Sequence, residues 1–158
     1  MSDKPVRAVR RKDREIDEPA ARELLERGEY GVLSTVGPDG APYGVPLSYV
    51  YRDTAIYFHS APEGRKVEHL SSGAPASFCV VGQTEVLPDK FATRYESAIA
   101  AGEIRELHGF EKTTALGWLV EKYSPEFRAQ GAEYIAQAEG KTRVFALCLH
   151  YVTGKRRS

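Results

Sequence analysis

The sequence has few of the residues that define disulfide scaffolds and metal sites. It contains two cysteines in 158 residues, Cys79 and Cys148, in neither a CxxC nor a zinc-type spacing. Both cysteines lie inside apolar runs far apart in the chain, which predicts two reduced core residues rather than a disulfide or metal ligands. No two of the four histidines have metal-ligand spacing, so we predict no metal site.

An excess of charge of either sign is also absent. Twenty-two basic and 22 acidic residues cancel, so no overall field favours nucleic acid or a membrane surface as the main partner. No apolar run approaches the length of a transmembrane helix, and no N-terminal apolar segment resembles a signal peptide. We therefore expect one cytoplasmic domain spanning residues 1–158 that binds neither nucleic acid nor membranes.

Basic residues cluster in one place, residues 1–14, which form a predicted N-terminal arm. The arm lacks the interleaved aromatic residues of a specific nucleic-acid reader, so a flexible or subunit-embracing tail is the better interpretation. Its cations include Arg7, Arg10, Arg11, Lys12 and Arg14.

Local patterns divide the rest of the chain into a few helices and several strands. Asp17 predicts the N-cap of a helix that ends at Gly28. Residues with strand periodicity or strong β-propensity predict strands at about 30–36, 43–51, 55–58, 76–81, 93–107 and 143–152. Helical stripes predict helices at about 109–122 and 124–137, and residues 82–90 read as a loop. Within the strands, Pro46 predicts an edge, gap or bulge and Gly102 a bulge or bend.

This order of elements predicts a fold that is mainly β with peripheral helices. Six strands joined mostly by hairpin-length links favour an antiparallel barrel, which closes to avoid exposed edges. A doubly wound sheet would need helices between the strands of the first half, and these are missing. The GxGxxG dinucleotide motif is also absent.

Residues 53–70 are the best candidate for a functional site. A short strand, Ala55–Phe58, leads through a turn into a helical segment, and Ser60 with Glu63 fits a capping box. Arg65 and Lys66, one turn into that helix, predict a site for a small anion such as phosphate. The alternative is an ordinary capped helix with solvated cations.

His59 is the histidine best placed to take part in chemistry. It follows Phe58 on the strand, so it points to the opposite face with Tyr57. At a strand end, its ordinary pKa makes it a candidate proton carrier near neutral pH, or a residue satisfied by a local hydrogen bond. We expect the other three histidines to be structural: His69, His108 and His150.

Taken in order, the motifs resemble a known family. The chain is similar to the FMN-binding split β-barrel proteins related to pyridoxamine 5′-phosphate oxidase, and within them to the 5-nitroimidazole resistance branch. The segments that carry the resemblance are Arg10–Ile16, Tyr30–Thr35, Asp39–Leu47, Ile56–Ala61, Gly64–Lys66 and Val152–Lys155.

The resemblance implies a six-stranded antiparallel split barrel that forms a homodimer with FMN at the subunit interface. Val45, Pro46, Leu47 and Ser48 would line the flavin, and His59, Ser60 and Ala61 would run beside its ring and ribityl chain. Lys66, with Arg65, would hold the phosphate. Tyr95, Ser97 and Trp118 would approach from the partner subunit. His59 would be the active-site residue.

The function implied is an FMN-dependent oxidoreductase that passes electrons to a small planar acceptor such as a nitroaromatic. The alternative is a non-catalytic protein of the same fold that binds, stores or senses flavin, haem or coenzyme F420.

Overall fold

The computed structural model describes residues 7–158. The first six residues of the predicted basic arm therefore lie outside the described part of the chain. The end of the arm joins the sheet: the Arg156 N–H donates to the Arg14 carbonyl at 2.8 Å. Glu15 and Ile16 then pair with Lys155 and Gly154.

Eight strands and four α-helices occur between residues 7 and 158. The strands are β1 Glu15–Ile16, β2 Gly31–Val36, β3 Pro42–Leu47, β4 Val50–Arg52, β5 Ala55–Ser60, β6 Ala76–Leu87, β7 Ala92–Leu107 and β8 Arg143–Arg157. The helices are α1 Glu18–Arg27, α2 Arg65–Leu70, α3 Gly109–Tyr123 and α4 Arg128–Ala138, with single 3-10 turns at Pro88–Lys90 and Pro125–Phe127.

The strands form one antiparallel sheet that curls around a shared core. Their order is β3-β2-β6-β7-β8-β5-β4, with β1 added alongside β8. Leu33 of β2 and Phe58 of β5 lie near opposite ends of this order, yet both are fully buried in the same apolar cluster. A flat sheet could not bring them together, so the sheet is rolled into a barrel that stays open between β3 and β4. The predicted mainly antiparallel barrel is confirmed, whereas the count of six strands is wrong.

The two additional strands come from short segments that pattern analysis does not separate. β1 has only two residues, and β4 arises because the predicted strand over residues 43–51 breaks at Ser48 and Tyr49. Its alternation is nevertheless as predicted, with Tyr43, Val45 and Leu47 turned inward. Pro46 lies opposite Val32 on β3, which is an edge strand.

The predicted loop at residues 82–90 is mostly strand. β6 runs on to Leu87 because a shift of register between Val81 and Thr84 takes up the extra residues, and the pairing with β7 then continues. A half-buried carboxylate supports this irregularity: Glu96 accepts the Gln83 N–H at 3.2 Å and pairs with Arg27 at 3.0 Å. The last strand is also longer than predicted.

Helix α1 begins where the sequence predicts. The Asp17 carboxylate accepts the Ala20 N–H at 2.9 Å, which satisfies one of the unpaired amides of the first turn. Gly28 ends the helix, but with an ordinary φ of −64°. Glycine fits at position 28 because of crowding, since a Cβ there would lie 2.4 Å from the Tyr49 hydroxyl.

Helix α3 covers the outer face of β5 and β8 and matches the predicted helix 109–122. Its buried residues Leu116 and Leu119 form a second apolar cluster with Val144. The predicted N-cap at Ser124 is wrong: its side chain makes no capping bond, and a 3-10 turn precedes α4.

Both cysteines are free, as predicted, but they are half-buried and not fully buried in the core. Between residues 7 and 158, no helix has the length and apolar character needed to cross a membrane.

The bulge predicted at Gly102 is present and can be tested. The β7–β8 register shifts there, and a Cβ at Gly102 would lie 1.9 Å from the Cys148 carbonyl oxygen. We expect Gly102→Ala to lower the free energy of unfolding by about 2 kcal/mol or more, because backbone would have to move.

Gly117→Ala is the matched control. Nothing lies within 4 Å of a Cβ at Gly117 in α3, so alanine there should raise the free energy of unfolding by roughly 0.5–1 kcal/mol. Urea denaturation of both variants measures the difference, and equal effects would contradict the crowding at Gly102.

Candidate functional site

The candidate site is centred on the end of β5. One face of this strand contacts the barrel core and the other contacts the outer helices. Phe58 and Ser60 are buried on the barrel side. Tyr57 and His59 alternate with them and therefore point to the helix side. There the ring of Tyr57 meets that of Trp118 edge to face, with 5.1 Å between centroids.

The capping box predicted at Ser60 and Glu63 does not form. The Ser60 hydroxyl donates to the Ala61 carbonyl at 3.0 Å, and α2 begins only at Arg65, after Gly64 with a φ of 131°. Residues 61–64 form a bend in which Gly64 adopts a conformation that favours glycine. With only six residues, α2 contributes little dipole, so any preference for an anion must come from side chains.

Two such side chains, Arg65 and Lys66, carry unpaired positive charge. Among residues 7–158, neither forms an ion pair with a carboxylate within 4.0 Å, although most other arginines there do. The Arg65 guanidinium lies 4.9 Å from the centroid of the Tyr43 ring on β3. Lys66 is half-buried, and this burial lowers its pKa. This cationic corner is thus available to an external anion.

His59 belongs to the same electrostatic environment. Partial desolvation, together with the nearby positive charge of Lys66, lowers its pKa below the ordinary value of 6.5. Since a lower pKa disfavours the imidazolium, His59 is mainly neutral at pH 7. One ring nitrogen then donates a hydrogen bond and the other accepts one.

A cavity of about 480 Å³ opens beside His59 on the helix side of the barrel. Ser48, which follows β3, lies on the same wall as His59. The structure therefore brings the ends of two predicted site segments, residues 45–48 and 59–61, to the same cavity. The opposite wall consists of side chains from α3 and α4, including Leu119, Tyr123 and Tyr134.

Tyr49 fixes the position of Ser48. Its ring is buried 4.8 Å from the Phe78 ring, and its hydroxyl donates to the Leu25 carbonyl in α1. Its backbone is held from the other side, because the Lys122 ammonium donates to the Tyr49 carbonyl at 2.8 Å. Burial raises the pKa of the Tyr49 phenol and lowers that of Lys122 to about 8.

The remaining predicted residues of β3 and β5 flank this wall. Val45 and Leu47 are half-buried against the barrel core. Pro46 and Ala61 are exposed, the first on the edge strand and the second just after β5.

Three predicted residues lie elsewhere within the same chain. Tyr95 and Ser97 are on β7 opposite Arg157 and Lys155, and Tyr95 lines a different cavity of about 460 Å³. Trp118 packs on Tyr57 but does not line the cavity at His59. The prediction that these three residues act from a partner subunit stays a prediction.

Sequence reasoning missed the aromatic residues of the α3–α4 wall: Tyr123, Phe127 and Tyr134. Phe127 and Tyr134 are seven residues apart, and this helical stripe could have identified them, whereas Tyr123 lies at the end of α3. The stripe does not show whether such residues fill a core or line a cavity, and α4 in fact has no buried residue.

The other histidines have structural surroundings. His69 is buried and shares a hydrogen bond of 2.9 Å with the Thr35 hydroxyl. His108 and His150 are exposed. Within residues 7–158, no cluster of three or more His, Cys, Asp or Glu side chains could hold a metal ion.

Comparison with known proteins agrees with this architecture. Residues 17–156 match the family model of pyridoxamine 5′-phosphate oxidase. A split barrel related to pyridoxamine 5′-phosphate oxidase is thus the class of protein that the fold and the match define. The chain belongs to the pyridoxamine 5′-phosphate oxidase family. No curated protein sequence matches it.

Solved structures share the fold at low sequence identity. A candidate 5-nitroimidazole antibiotic resistance protein from Bacteroides thetaiotaomicron has a TM-score of 0.72 and 20% identity, over 89% of this chain and 85% of that chain. The FAD and heme binding protein from Mycobacterium smegmatis has a TM-score of 0.78 and 20% identity, over 90% and 72%. The heme storage protein from Vibrio cholerae has a TM-score of 0.64 and 14% identity, over 87% and 94%. At these identities the likeness shows the fold alone.

The electrostatic coupling between His59 and Lys66 can be measured directly. We expect the pKa of His59 to lie below 6.5 and to rise in Lys66→Met, because removing the ammonium removes repulsion of the imidazolium. An NMR titration of the His59 ring resonances measures both values.

Lys90→Met is the control for this titration, since Lys90 lies in the 3-10 turn between β6 and β7. It should leave the pKa of His59 unchanged. An unchanged pKa in Lys66→Met as well would contradict the proximity of the two charges.

Proposed function

We propose that this protein is a cytoplasmic FMN-binding oxidoreductase that reduces a small planar acceptor such as a nitroaromatic. The observation that carries the proposal is the pair of cations Arg65 and Lys66, which have no carboxylate partner among residues 7–158, with Lys66 close enough to His59 to lower its pKa. The match to the pyridoxamine 5′-phosphate oxidase family supports a flavin as the bound group. The candidate nitroimidazole resistance protein with the same fold supports this choice of acceptor.

The chemistry of the cationic corner suits the phosphate of FMN. Arg65 offers a planar donor set and Lys66 a compact ammonium, and both bind phosphate oxygens well. Since Lys66 is half-buried without a carboxylate partner among the described residues, an anion there would relieve the cost of desolvating its charge. Val45, Pro46, Leu47 and Ser48 would then lie along the flavin from β3, and Ser60 and Ala61 from β5.

When bound and reduced by an external electron donor such as NAD(P)H, FMN would supply two electrons, and converting a nitro to a nitroso group also consumes two protons and releases water. His59 would bind and orient the electron acceptor. As a neutral imidazole it can donate an N–H hydrogen bond to an acceptor oxygen and so orient it. Ser48, on the same wall, offers its hydroxyl as a second hydrogen-bond donor.

We propose that FMN binds between two subunits of a homodimer. In that arrangement Tyr95, Ser97 and Trp118, which do not line the cavity at His59 within one chain, would come from the partner.

FMN binding is the first test of this proposal. We expect the full-length protein to bind FMN at least tenfold more tightly than riboflavin, which lacks the phosphate. Lys66→Ala should weaken FMN binding roughly 10- to 100-fold, as expected for loss of a charge-assisted contact. Fluorescence titration measures each affinity.

Lys90→Ala provides the control, since it removes a lysine from the far hairpin. It should bind FMN like the unmodified protein. Equal affinity for FMN and riboflavin would contradict the phosphate assignment.

Turnover separates the enzyme from a cofactor-binding protein, the alternative that the heme storage protein of the same fold suggests. We expect anaerobically reduced, FMN-loaded protein to be reoxidised by 2-methyl-5-nitroimidazole, about 100-fold more slowly in His59→Gln with FMN affinity nearly unchanged. Stopped-flow absorbance records both rates.

If no acceptor from a panel of nitroaromatics and quinones reoxidises the protein, the binding or storage function is favoured. Haem or F420 recovered from the purified protein would replace FMN as the cofactor.

A further inference from the structure

The cavity between β5 and the α3–α4 pair extends well beyond Ser48 and His59, the two polar residues that the proposed function uses. Its volume of about 480 Å³ lies within the range of roughly 300–1,000 Å³ that is typical of small-molecule sites. Ser48 and His59 form only its barrel-side wall. The rest is built by helices that the functional proposal does not use.

The lining has a distinct chemistry. Among the described residues that line the cavity, none is aspartate, glutamate, lysine or arginine. The helix-side wall is mainly apolar and aromatic, with Leu119, Tyr123 and Ile135 among its members, and Ser124 and Gln130 add neutral polar groups. A charged ligand would lose hydration there without an oppositely charged side chain in the lining to pair with, whereas a neutral ring would bury apolar surface.

Helix α4 makes this wall adaptable. It has no buried residue, and its main contacts are with α3 and the 3-10 turn before it. At the crossing, Gly131 allows close approach, since a Cβ there would lie 2.4 Å from Val120 Cγ1. At the rim, Phe127 and Tyr134 remain 56% and 59% exposed, so both rings have apolar surface available to a ligand.

We propose that this cavity binds a neutral molecule with one or two aromatic groups between the α3–α4 pair and His59. The aromatic side chains of α4 pack against the ring, and His59 and Ser48 provide its hydrogen bonds. The identity of this ligand as the electron acceptor rests on the proposed function, but its binding does not.

Two probes with the same ring system test the charge preference. N-phenyl-1-naphthylamine is neutral and fluoresces more strongly in apolar surroundings, and 1-anilinonaphthalene-8-sulfonate adds one negative charge. We expect saturable binding of the neutral probe to the full-length protein, at one site per chain and at least tenfold tighter than the sulfonate. Absent saturation, or tighter binding of the sulfonate, would overturn the proposal.

Two tryptophan substitutions on α4 locate the site. Ala138 lines the cavity, and Ala136 is an exposed residue of the same helix that does not. Ala138→Trp should weaken binding of the neutral probe at least tenfold by filling the cavity, and Ala136→Trp should leave it unchanged. Equal effects would place the probe elsewhere and overturn the assignment.

FMN titrations of the same variants keep this inference separate from the proposed function. We expect Ala138→Trp to retain FMN affinity, and Lys66→Ala to retain binding of the neutral probe. If FMN fails to bind while the neutral probe saturates, the cavity assignment stands and the flavin proposal fails. The reverse pattern would reject the cavity alone.

Discussion

The arrangement of this protein depends on a corner in the chain at Tyr49. The side chain is buried inside the barrel, where its hydroxyl bonds to α1 and its ring packs on Phe78. From outside, Lys122 and Tyr123 of α3 bond to its backbone. One residue therefore links the first helix, the barrel core and the outer helices. It also sets where Ser48 lies relative to His59, and so defines the barrel-side wall of the candidate site.

Charge is distributed differently at structural and functional positions. Glu96 supports the β6 bulge while paired with Arg27 and Arg156, so its charge is used within the fold. Arg65 and Lys66 find no such carboxylate among residues 7–158. Because the net charge of the chain is zero, this local imbalance comes from placement and not from composition. An unpaired, half-buried cation has a cost that a bound anion would offset.

Several features could be predicted because they depend on neighbouring residues along the chain. The Asp17 cap, the edge position of Pro46 and the bulge at Gly102 follow from local hydrogen bonding and crowding of the backbone. The facing of His59 away from Phe58 follows from the period of a strand. The order of the motifs along the chain predicted the family and its barrel fold, and the match over residues 17–156 confirms this prediction.

The features that could not be predicted depend on contacts between distant residues. The strand at residues 43–51 breaks at Tyr49 because partners from α1, β6 and α3 hold it there, and β6 runs through its predicted loop because β7 pairs with it. The Ser60 hydroxyl bonds to Ala61 instead of capping α2. Sequence alone thus determined most of the elements, the family and the face of His59. Only the tertiary structure decided which side chains meet, since a cavity and an unpaired charge are properties of packing across the whole chain.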